Sequence, residues 1–172
     1  LYAVHSGGYA RNSKVKEGDF VDIEKRLREC GIVLPEVSVP LAAYLPAVRS
    51  GNLLFISGQL PMEQGVLAYK GRLGSELSIA EGQAACRLAA INCLAVLKNN
   101  LADWGQLVKI VKITGYIQCE AHFTELPLVL NGASQLLEDI FGEYGKHARV
   151  AVGVNALPLG AACEVEMLAE LR

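Results

Sequence analysis

The chain has 172 residues, of which 52% are hydrophobic and 20% charged, with a formal net charge of −2; a single domain of this length buries about two-thirds of its unfolded surface, so it needs neither a metal nor a disulfide to hold it together. Lys and Arg are scattered, which argues against an RNA- or DNA-binding surface, and the longest apolar stretch, residues 88–97, is about half as long as a bilayer-spanning helix. We therefore expect no membrane segment and consider RNA an unlikely partner. The apolar excess is expected to be buried in a large core or against identical subunits.

The N-terminal segment differs in composition from the rest of the chain. Residues 1–17 are polar, contain Gly and Ser, and begin with Leu rather than Met. They lack the apolar core of a secretory signal, so we interpret them as a disordered leader or a non-native remnant. A single domain is expected over residues 18–172. The expected location is the cytoplasm, or an organelle if residues 1–17 are a processed leader.

A first short helix is expected to begin after a cap at Asp19 and to end at Gly31. Residues 34–46 contain three prolines and are expected to form an extended connector. The helix is also expected to have apolar positions and an ion pair at helical spacing: Phe20, Ile23 and Leu27, and Glu24 with Arg28.

The pattern then changes to that of β-strands. Residues 43–60 contain two apolar runs, and the turn-forming residues 49–52 between them predict a hairpin. A third strand is expected over residues 66–70.

Two long helices and three strands follow. Ser78 and Glu81 have the spacing of a capping box, at the start of a mostly apolar helix that runs to about residue 98. Residues 107–119 alternate apolar and polar positions, which predicts a strand. The remaining predicted elements are a helix over residues 127–141 and strands over residues 147–154 and 162–170, joined by residues 155–161.

This order, ββ(β)αβαββ, suits a two-layer α+β fold in which both long helices cover one face of the sheet. The other face of the sheet needs a cover as well. Self-association, with the sheets of neighbouring subunits facing each other, is the economical way to supply it.

Side chains of the strand over residues 147–154 alternate between the two faces of the sheet. The valines at 150, 152 and 154 are expected in the helix-covered core. On the opposite face Arg149 is followed by two small residues, Ala151 and Gly153, which leave a shallow hollow in front of its guanidinium group.

A hairpin of the last two strands would pair Arg149 near Glu164 and place Glu166 on the same face. Two interpretations of this pair are open from strand geometry. In the first, Arg149 offers its planar fork of donors to a carboxylate ligand, and Glu164 positions the arginine or a water. In the second, the two residues form an ordinary cross-strand ion pair.

Three further polar residues are weaker candidates. Ser57 lies at a strand end beside a glycine, where a hydroxyl and exposed amides either bind an anion or form a turn. Tyr44 either supplies a hydroxyl or packs. His147 alternates onto the Arg149 face, either as a base or as an exposed turn histidine.

Neither a metal nor another cofactor is expected. The five cysteines are odd in number and show no C-x-x-C spacing, so we expect reduced thiols in the interior. The three histidines lie far apart and none is close to a cysteine pair, which argues against zinc. Cys119 and Cys163 have no neighbouring base recognisable in the sequence, which argues against a thiol nucleophile.

Five segments in order are specific enough to compare with known families: AAYLPAVRSGNLLFISGQLP, SIAEGQAACRLAAINCLAVL, VKITGYI, VLNGASQLLEDIFGEYGKHARVAVGV and LPLGAACEVEML. They fall within residues 20–172, which resemble the longer branch of the Rid/YjgF family of reactive intermediate imine deaminases, formerly called L-PSP endoribonucleases. The resemblance implies a chorismate-mutase-like α+β fold. It also implies a homotrimer with a β-barrel-like centre and ligand clefts at the subunit interfaces.

The resemblance also implies an activity. In better-characterised deaminases of the family an arginine holds the carboxylate of 2-aminoacrylate or a related imino acid, and water then releases ammonia and a keto acid. That arginine matches Arg149, the glutamate near the last strand matches Glu164, the strand-end serine matches Ser57, and the early tyrosine matches Tyr44. Arg149, Glu164 and Ser57 are the implied catalytic residues, and small carboxylate-bearing imines, enamines or keto acids are the implied ligands.

Two departures from the family pattern concern the ligand pocket. Ala151 stands where deaminases of the family commonly carry Cys, so the pocket is expected to be larger and to lack a side-chain contact. An insertion shifts the helix before Phe141, which makes Asn131 a less direct match for a ligand-binding asparagine of the family.

Three functions therefore stand side by side. The first is hydrolytic deamination of small reactive 2-imino or enamine acids. The second is a non-catalytic trimeric module that binds small carboxylate metabolites, favoured by the absent Cys and by the lack of an evident strong base. The third is an endoribonuclease that acts as a translation inhibitor, which would need a basic groove and an acid–base pair such as His147 with Glu164 or Glu166.

Overall fold

A computed structural model describes residues 22–37 and 43–172 of the chain. The helices are α1 (Ile23–Glu29), α2 (Ile79–Asn99) and α3 (Leu126–Phe141), and the strands are β1 (Ala47–Ser50), β2 (Leu53–Gln59), β3 (Met62–Glu63), β4 (Val66–Leu67), β5 (Leu107–Gln118), β6 (Ala148–Val154) and β7 (Cys163–Leu171). Five strands form a mixed sheet in the order β1-β2-β7-β5-β6, and β3 and β4 form a separate hairpin. The predicted α+β fold is confirmed.

Both long helices begin where the sequence predicts. At the start of α2 the Ser78 hydroxyl accepts the Glu81 N–H at 3.3 Å, and the Glu81 carboxylate accepts the Ser78 N–H at 2.8 Å. These bonds satisfy donors that the first turn of a helix leaves without partners. Helix α3 begins at Leu126, so Pro127 occupies a first-turn position that needs no N–H.

The start of α1 differs from its prediction. Asp22 caps the helix through a carboxylate oxygen that accepts the Lys25 N–H at 3.0 Å. The predicted cap, Asp19, and the predicted apolar position Phe20 lie outside the described residues, as does the predicted leader. The helix ends as predicted near Gly31, whose φ of +67° suits a residue without a side chain.

The ion pair on α1 also differs from the prediction. Lys25 pairs with Glu29 at 3.7 Å, in place of the expected pairing of Glu24 with Arg28. The carboxylate of Glu24 instead accepts the indole N–H of Trp104 at 2.9 Å. That contact ties α1 to the loop before β5, and the sequence spacing on the helix alone could not indicate it.

The first predicted hairpin is confirmed as β1 and β2, with a turn at residues 51–52. The third predicted strand is shorter than expected, because β4 ends at Leu67 and pairs with β3 rather than with the main sheet. Gln64 and Gly65, with φ of +50° and +79°, close the turn between these two short strands.

The last two strands do not form the predicted hairpin. β6 pairs in parallel with β5, and β7 pairs antiparallel with β5 on one side and with β2 on the other. Parallel neighbours need a crossover, which α3 supplies between β5 and β6. Residues 155–162 then carry the chain across the end of β5. The prediction was wrong because a short loop is typical of a hairpin, whereas this one passes over an intervening strand.

Arg72 holds this passage in place. Its guanidinium donates to the Glu120 carboxylate at 3.0 Å, and to the carbonyl oxygens of Cys119 and Asn155 at 2.8 Å each. One side chain therefore ties the segment before α2 to the end of β5 and to the segment that leaves β6.

Helices α2 and α3 cover one face of the sheet, as predicted, and pack on buried residues such as Ile113, Val165 and Met167. The predicted position of the β6 valines was wrong. Val150 and Val152 are 40% and 38% exposed, and they lie on the face that the helices leave open. Alternation separates the two faces of a strand, but it does not tell which of them the helices cover.

Among the described residues no helix is both long and apolar enough to cross a membrane. The same part of the chain contains no cluster of three His, Cys, Asp or Glu side chains that could hold a metal ion. All five cysteines are free thiols, and four of them are buried: Cys86, Cys93, Cys119 and Cys163.

Helix α3 approaches the backbone of α2 closely at Gly132. A Cβ atom added to this residue would lie 2.0 Å from the carbonyl oxygen of Gln83, a backbone atom that cannot rotate away. Any larger residue at position 132 must push the two helices apart.

We predict that Gly132→Ala lowers the free energy of unfolding by roughly 1–3 kcal/mol, as expected for overpacking. Alanine forms helices better than glycine does, so a lower free energy of unfolding would report the steric clash with α2. Urea titration measures it, with Gln135→Ala on the exposed side of α3 as the control, expected to stay within about 0.5 kcal/mol of the parent. An unchanged or higher stability of Gly132→Ala would contradict the close approach.

Candidate active site

A cleft of about 380 Å³ opens between α3 and the start of β6. Polar and charged side chains from both elements line it, as does the short segment that joins them. The lining residues are Asn131, Ser134, Gln135, Glu138, Gly145, Lys146, His147 and Arg149.

Arg149 is held at one edge of this cleft by two hydrogen bonds that it donates to side chains of α3. Its Nη1 donates to Asn131 Oδ1 at 2.8 Å and to Ser134 Oγ at 3.0 Å. Both bonds use one nitrogen, so Nε and Nη2 donate to no acceptor among the described residues. A guanidinium presents such a pair of N–H groups in the geometry of a carboxylate.

Asn131 adds a further donor beside the arginine. Its Oδ1 accepts from Arg149, which orients the amide so that the Nδ2 donors point away from the guanidinium. The combination of a fixed cation edge and an amide donor suits a small anion with a second polar group.

The spacing of residues on α3 and β6 explains how these side chains meet. Asn131 and Ser134 are three residues apart on a helix and therefore share a face. His147 and Arg149 are two residues apart in extended backbone and share a side of the strand. Gly115 lies on β5 beside Ala151, and a Cβ atom there would meet the side chain of Leu130 on α3 at 2.4 Å, so small residues let the helix approach.

His147 is half-buried and is bound at both ring nitrogens. Nδ1 contacts the carbonyl oxygen of Gly145, and Nε2 lies 3.1 Å from Ser134 Oγ. A carbonyl oxygen can only accept, so in the neutral ring Nδ1–H donates to Gly145 and Nε2 accepts the Ser134 hydroxyl. Burial lowers the pKa of His147, and the charge of Arg149 lowers it further, against the opposing effects of Gly145 and Glu138.

The predicted partner of Arg149, Glu164, lies elsewhere. Across β5, Glu164 is in register with Tyr116 and then with Val152, whereas Arg149 is in register with Ile113. Residues in register share a face, so Glu164 is on the open side of the sheet and Arg149 is on the helix side. The predicted pairing was wrong because β5 separates β6 from β7 and the two residues have opposite parity.

Glu164 belongs to a second polar group, near the end of β2. Its carboxylate lies over Gly58, where an added Cβ atom would be 1.9 Å from Glu164 Oε1. The neighbouring Ser57 donates its hydroxyl to the Leu45 carbonyl at 2.8 Å, directly after Tyr44, whose side chain is 57% exposed. Burial raises the pKa of Glu164, and the charge of the nearby Glu166 adds to this effect.

Ala151 does not line the cleft; it is partly buried and packs against the core. Its expected effect on the pocket stays a prediction. Among the thiols, Cys163 is buried, and a hydrogen bond with Cys86 together with burial raises its pKa well above the ordinary value. A buried thiol in its neutral form is a poor nucleophile.

Sequence reasoning missed Ser134 and gave His147 only the choice between a base and an exposed turn residue. The structure places both in the arginine cleft. A usable signal was present, because N-x-x-S on a helix and H-x-R on the following strand each put two polar groups on one side. Crossing of those two elements then assembles all four.

Comparison with known proteins gives a consistent assignment. A model of the family described as "YjgF/chorismate mutase-like, putative endoribonuclease" matches residues 24–171. Protein TCP17 of Trypanosoma cruzi is 41% identical over 150 residues, 87% of this chain and 94% of that protein. The crystal structure of Atu1372 from Agrobacterium tumefaciens, whose function is described as unknown, is 42% identical, covers 87% of this chain and 92% of its own, and superposes with a TM-score of 0.82. A "putative endoribonuclease" of Shewanella oneidensis is 40% identical over 87% of this chain and 99% of its own, with a TM-score of 0.84.

We predict that Arg149→Ala raises the pKa of His147 toward, but not to, the ordinary value, because burial remains when the positive charge is removed. NMR titration of the imidazole C–H signals measures the midpoint. Arg28→Ala, which removes an exposed arginine of α1, is the matched control and should leave the midpoint unchanged. Equal midpoints in the parent and in Arg149→Ala would show that the two side chains do not interact.

Proposed function

This chain belongs to the Rid/YjgF family, and from that premise we propose that it hydrolyses small reactive 2-imino or enamine acids to keto acids and ammonia, with Arg149 as the carboxylate anchor. The observation that carries the proposal is the Nε and Nη2 edge of Arg149, which has no acceptor in the described part of the chain and lies in a cleft of about 380 Å³. Hydrogen bonds that Arg149 Nη1 donates to Asn131 and Ser134 fix this edge before a ligand arrives, so binding costs little conformational entropy at the arginine.

The reaction asks little of the protein beyond orientation. An imine carbon is already electrophilic, and an enamine acid becomes an imine by taking up a proton at carbon. Holding the carboxylate on Arg149, with Asn131 Nδ2 beside it, presents that carbon at a fixed distance from a bound water. No metal or other cofactor is needed for the addition of water or for the loss of ammonia.

The proposed roles of Glu164, Ser57 and Tyr44 require more than one chain. In a single chain Glu164 is on the opposite side of the sheet from Arg149. We assign the second polar group to the next subunit of a homotrimer, where Glu164 and Ser57 position the water and Tyr44 closes the cleft. Exposed apolar side chains on the open face favour such an assembly: Val48, Phe55, Val150 and Val152 are 38–51% exposed.

We expect Arg149→Ala to reduce ammonia release from freshly generated 2-iminopropionate by at least about a hundredfold, the usual effect of losing one preorganised donor at a reacting group. Arg149→Lys keeps the charge without the planar fork and should also be strongly impaired. Arg28→Ala is the control for loss of an arginine. Turnover in Arg149→Ala that matches the parent would refute the assignment of the anchor.

The assembly has its own test. A charge placed on the open face by Val152→Asp should lower the mass in solution, measured by light scattering, from that of a trimer to that of a monomer. Val66→Asp is the matched control, because Val66 is 68% exposed on the separate β3–β4 hairpin. A parent protein that is monomeric at micromolar concentration would contradict the trimer.

A second candidate is a module that binds small carboxylates without chemistry. Two observations favour it. Glu164 is separated from Arg149 within one chain, and neither hydrogen bond of the Arg149 guanidinium to the described residues goes to a carboxylate. One chain alone therefore offers the ligand an anchor without a carboxylate beside it. Pyruvate bound at Arg149 in a crystal, with no ammonia release from any imine tested, would support this candidate over the enzyme.

An endoribonuclease activity, the one suggested for some of the related structures, has less in its favour. The acid–base pair that it would need, His147 with Glu164 or Glu166, is divided between the two sides of the sheet in one chain. The net charge of −2 also counts against a basic surface for RNA. RNA cleavage that copurifies with the protein and disappears in Arg149→Ala would restore this function.

A further inference from the structure

We propose that His147, acting through the Ser134 hydroxyl, receives the proton of the water that attacks the ligand held by Arg149, and returns it to the leaving nitrogen. This inference rests on the proposed function and adds a proton acceptor on the same chain and the same side of the sheet as the anchor. Ser134 is the group that touches the water, and His147 is the positioning and storing group behind it.

The direction of the hydrogen bonds supports the relay. Gly145 accepts from His147 Nδ1, which leaves Nε2 without a hydrogen and able to accept from Ser134. Ser134 Oγ accepts from Arg149 Nη1 at 3.0 Å through one lone pair. Its second lone pair is left to accept a proton from a water in the cleft that it lines.

The proton count closes with water as the only co-reactant. Water forms the C–O bond to the iminium carbon, and one of its protons passes to Ser134 Oγ as the Ser134 proton passes to His147 Nε2. The π pair of the C=N bond moves to nitrogen and gives an amino alcohol. The same proton then returns to that nitrogen, which leaves as ammonia with the C–N pair while the hydroxyl becomes C=O. The hydroxyl proton converts ammonia to ammonium.

The charges around His147 favour this use. Arg149 on β6 faces it from one side, and Glu138 faces it from α3. Lys146 is the neighbour of His147 in the chain, but it forms ion pairs with Glu138, at 3.8 Å, and with Glu143. Burial and the charge of Arg149 lower the pKa of His147 and outweigh Glu138, so the ring is neutral near pH 7 and able to accept a proton. Once protonated it is repelled by Arg149, unless an anionic ligand offsets that charge, so the proton is held only while the site is occupied.

A backbone interaction keeps the ring in this orientation. Gly145 packs so closely on α3 that an added Cβ atom would lie 2.1 Å from the Leu137 carbonyl oxygen. The carbonyl that accepts from His147 is thus fixed to the same helix that carries Ser134. If the two ring nitrogens exchanged their proton, the hydrogen bond to the Gly145 carbonyl oxygen would be lost.

The test is the pH dependence of kcat for ammonia release from 2-iminopropionate in His147→Gln and Ser134→Ala. Parent kcat should fall as the pH drops through the His147 pKa, below the roughly 6.5 of a free imidazole, because the protonated ring cannot accept. Glutamine can still hydrogen-bond to Ser134 and Gly145 but does not titrate. We expect kcat to drop about a hundredfold in both variants and the acid limb to disappear in His147→Gln, while the Kd for pyruvate in His147→Gln changes less than threefold.

Two further variants distinguish this relay from proton transfer to Glu164 and from a change in the charge near Lys146. Glu164→Gln should retain the acid limb, whereas its loss there would assign the limb to Glu164 and overturn the relay. Glu143→Gln removes one of the two carboxylate partners of Lys146 and should behave as the parent does. A His147→Gln protein with parental kcat and pH profile overturns the relay while leaving the Arg149 anchor intact. Loss of pyruvate binding in His147→Gln would show a purely structural role, and parent protein without turnover would overturn both proposals.

Discussion

The close packing of α3 against its neighbours is the constraint on which the candidate site depends. Backbone carbonyl groups of Gln83 and Leu137 lie where the Cβ atoms of Gly132 and Gly145 would be. Because these contacts are between backbones, α3 cannot accommodate a larger residue without moving away from α2. The position of α3 on α2 also sets its distance from β6, and therefore the two hydrogen bonds that orient Arg149. Local glycine geometry is in this way connected to the orientation of Arg149.

Elements whose signals are local could be predicted from the sequence. The capping box of Ser78 and Glu81 and the alternation of residues 107–119 describe groups that interact within a few residues of each other. Strand neighbours could not be predicted in this way, because pairing is decided by contacts between distant segments. The loop over residues 155–162 has the length of a hairpin connection, yet Arg72 anchors it across the end of β5. Side chains of β6 alternate as predicted, but the expected pairing with β7 and the face assigned to the valines were wrong.

The site illustrates the same limit. Arg149 and Asn131 could be chosen from the family resemblance, and the structure brings them into contact. Ser134 and His147 could not be recognised separately, because a serine in a helix and a histidine before a strand are ordinary residues. They can be recognised as one site only when the fold is known. Side chains three to four residues apart share a face of α3, side chains two residues apart share a face of an extended strand, and the fold places these two faces together. Glu164 shows the converse, since a correct family match does not tell which subunit face a residue occupies.

The position of β6 at the edge of the sheet has a consequence for how the cleft responds to a ligand. Among the described strands only β5 pairs with it, so β6 is a strand that can open locally at lower cost than β5 or β7. A ligand that contacts both Arg149 on β6 and Asn131 on α3 would hold this edge strand against the helix. Occupancy of the site and protection of the β6 amides from exchange with solvent are then two measures of the same equilibrium.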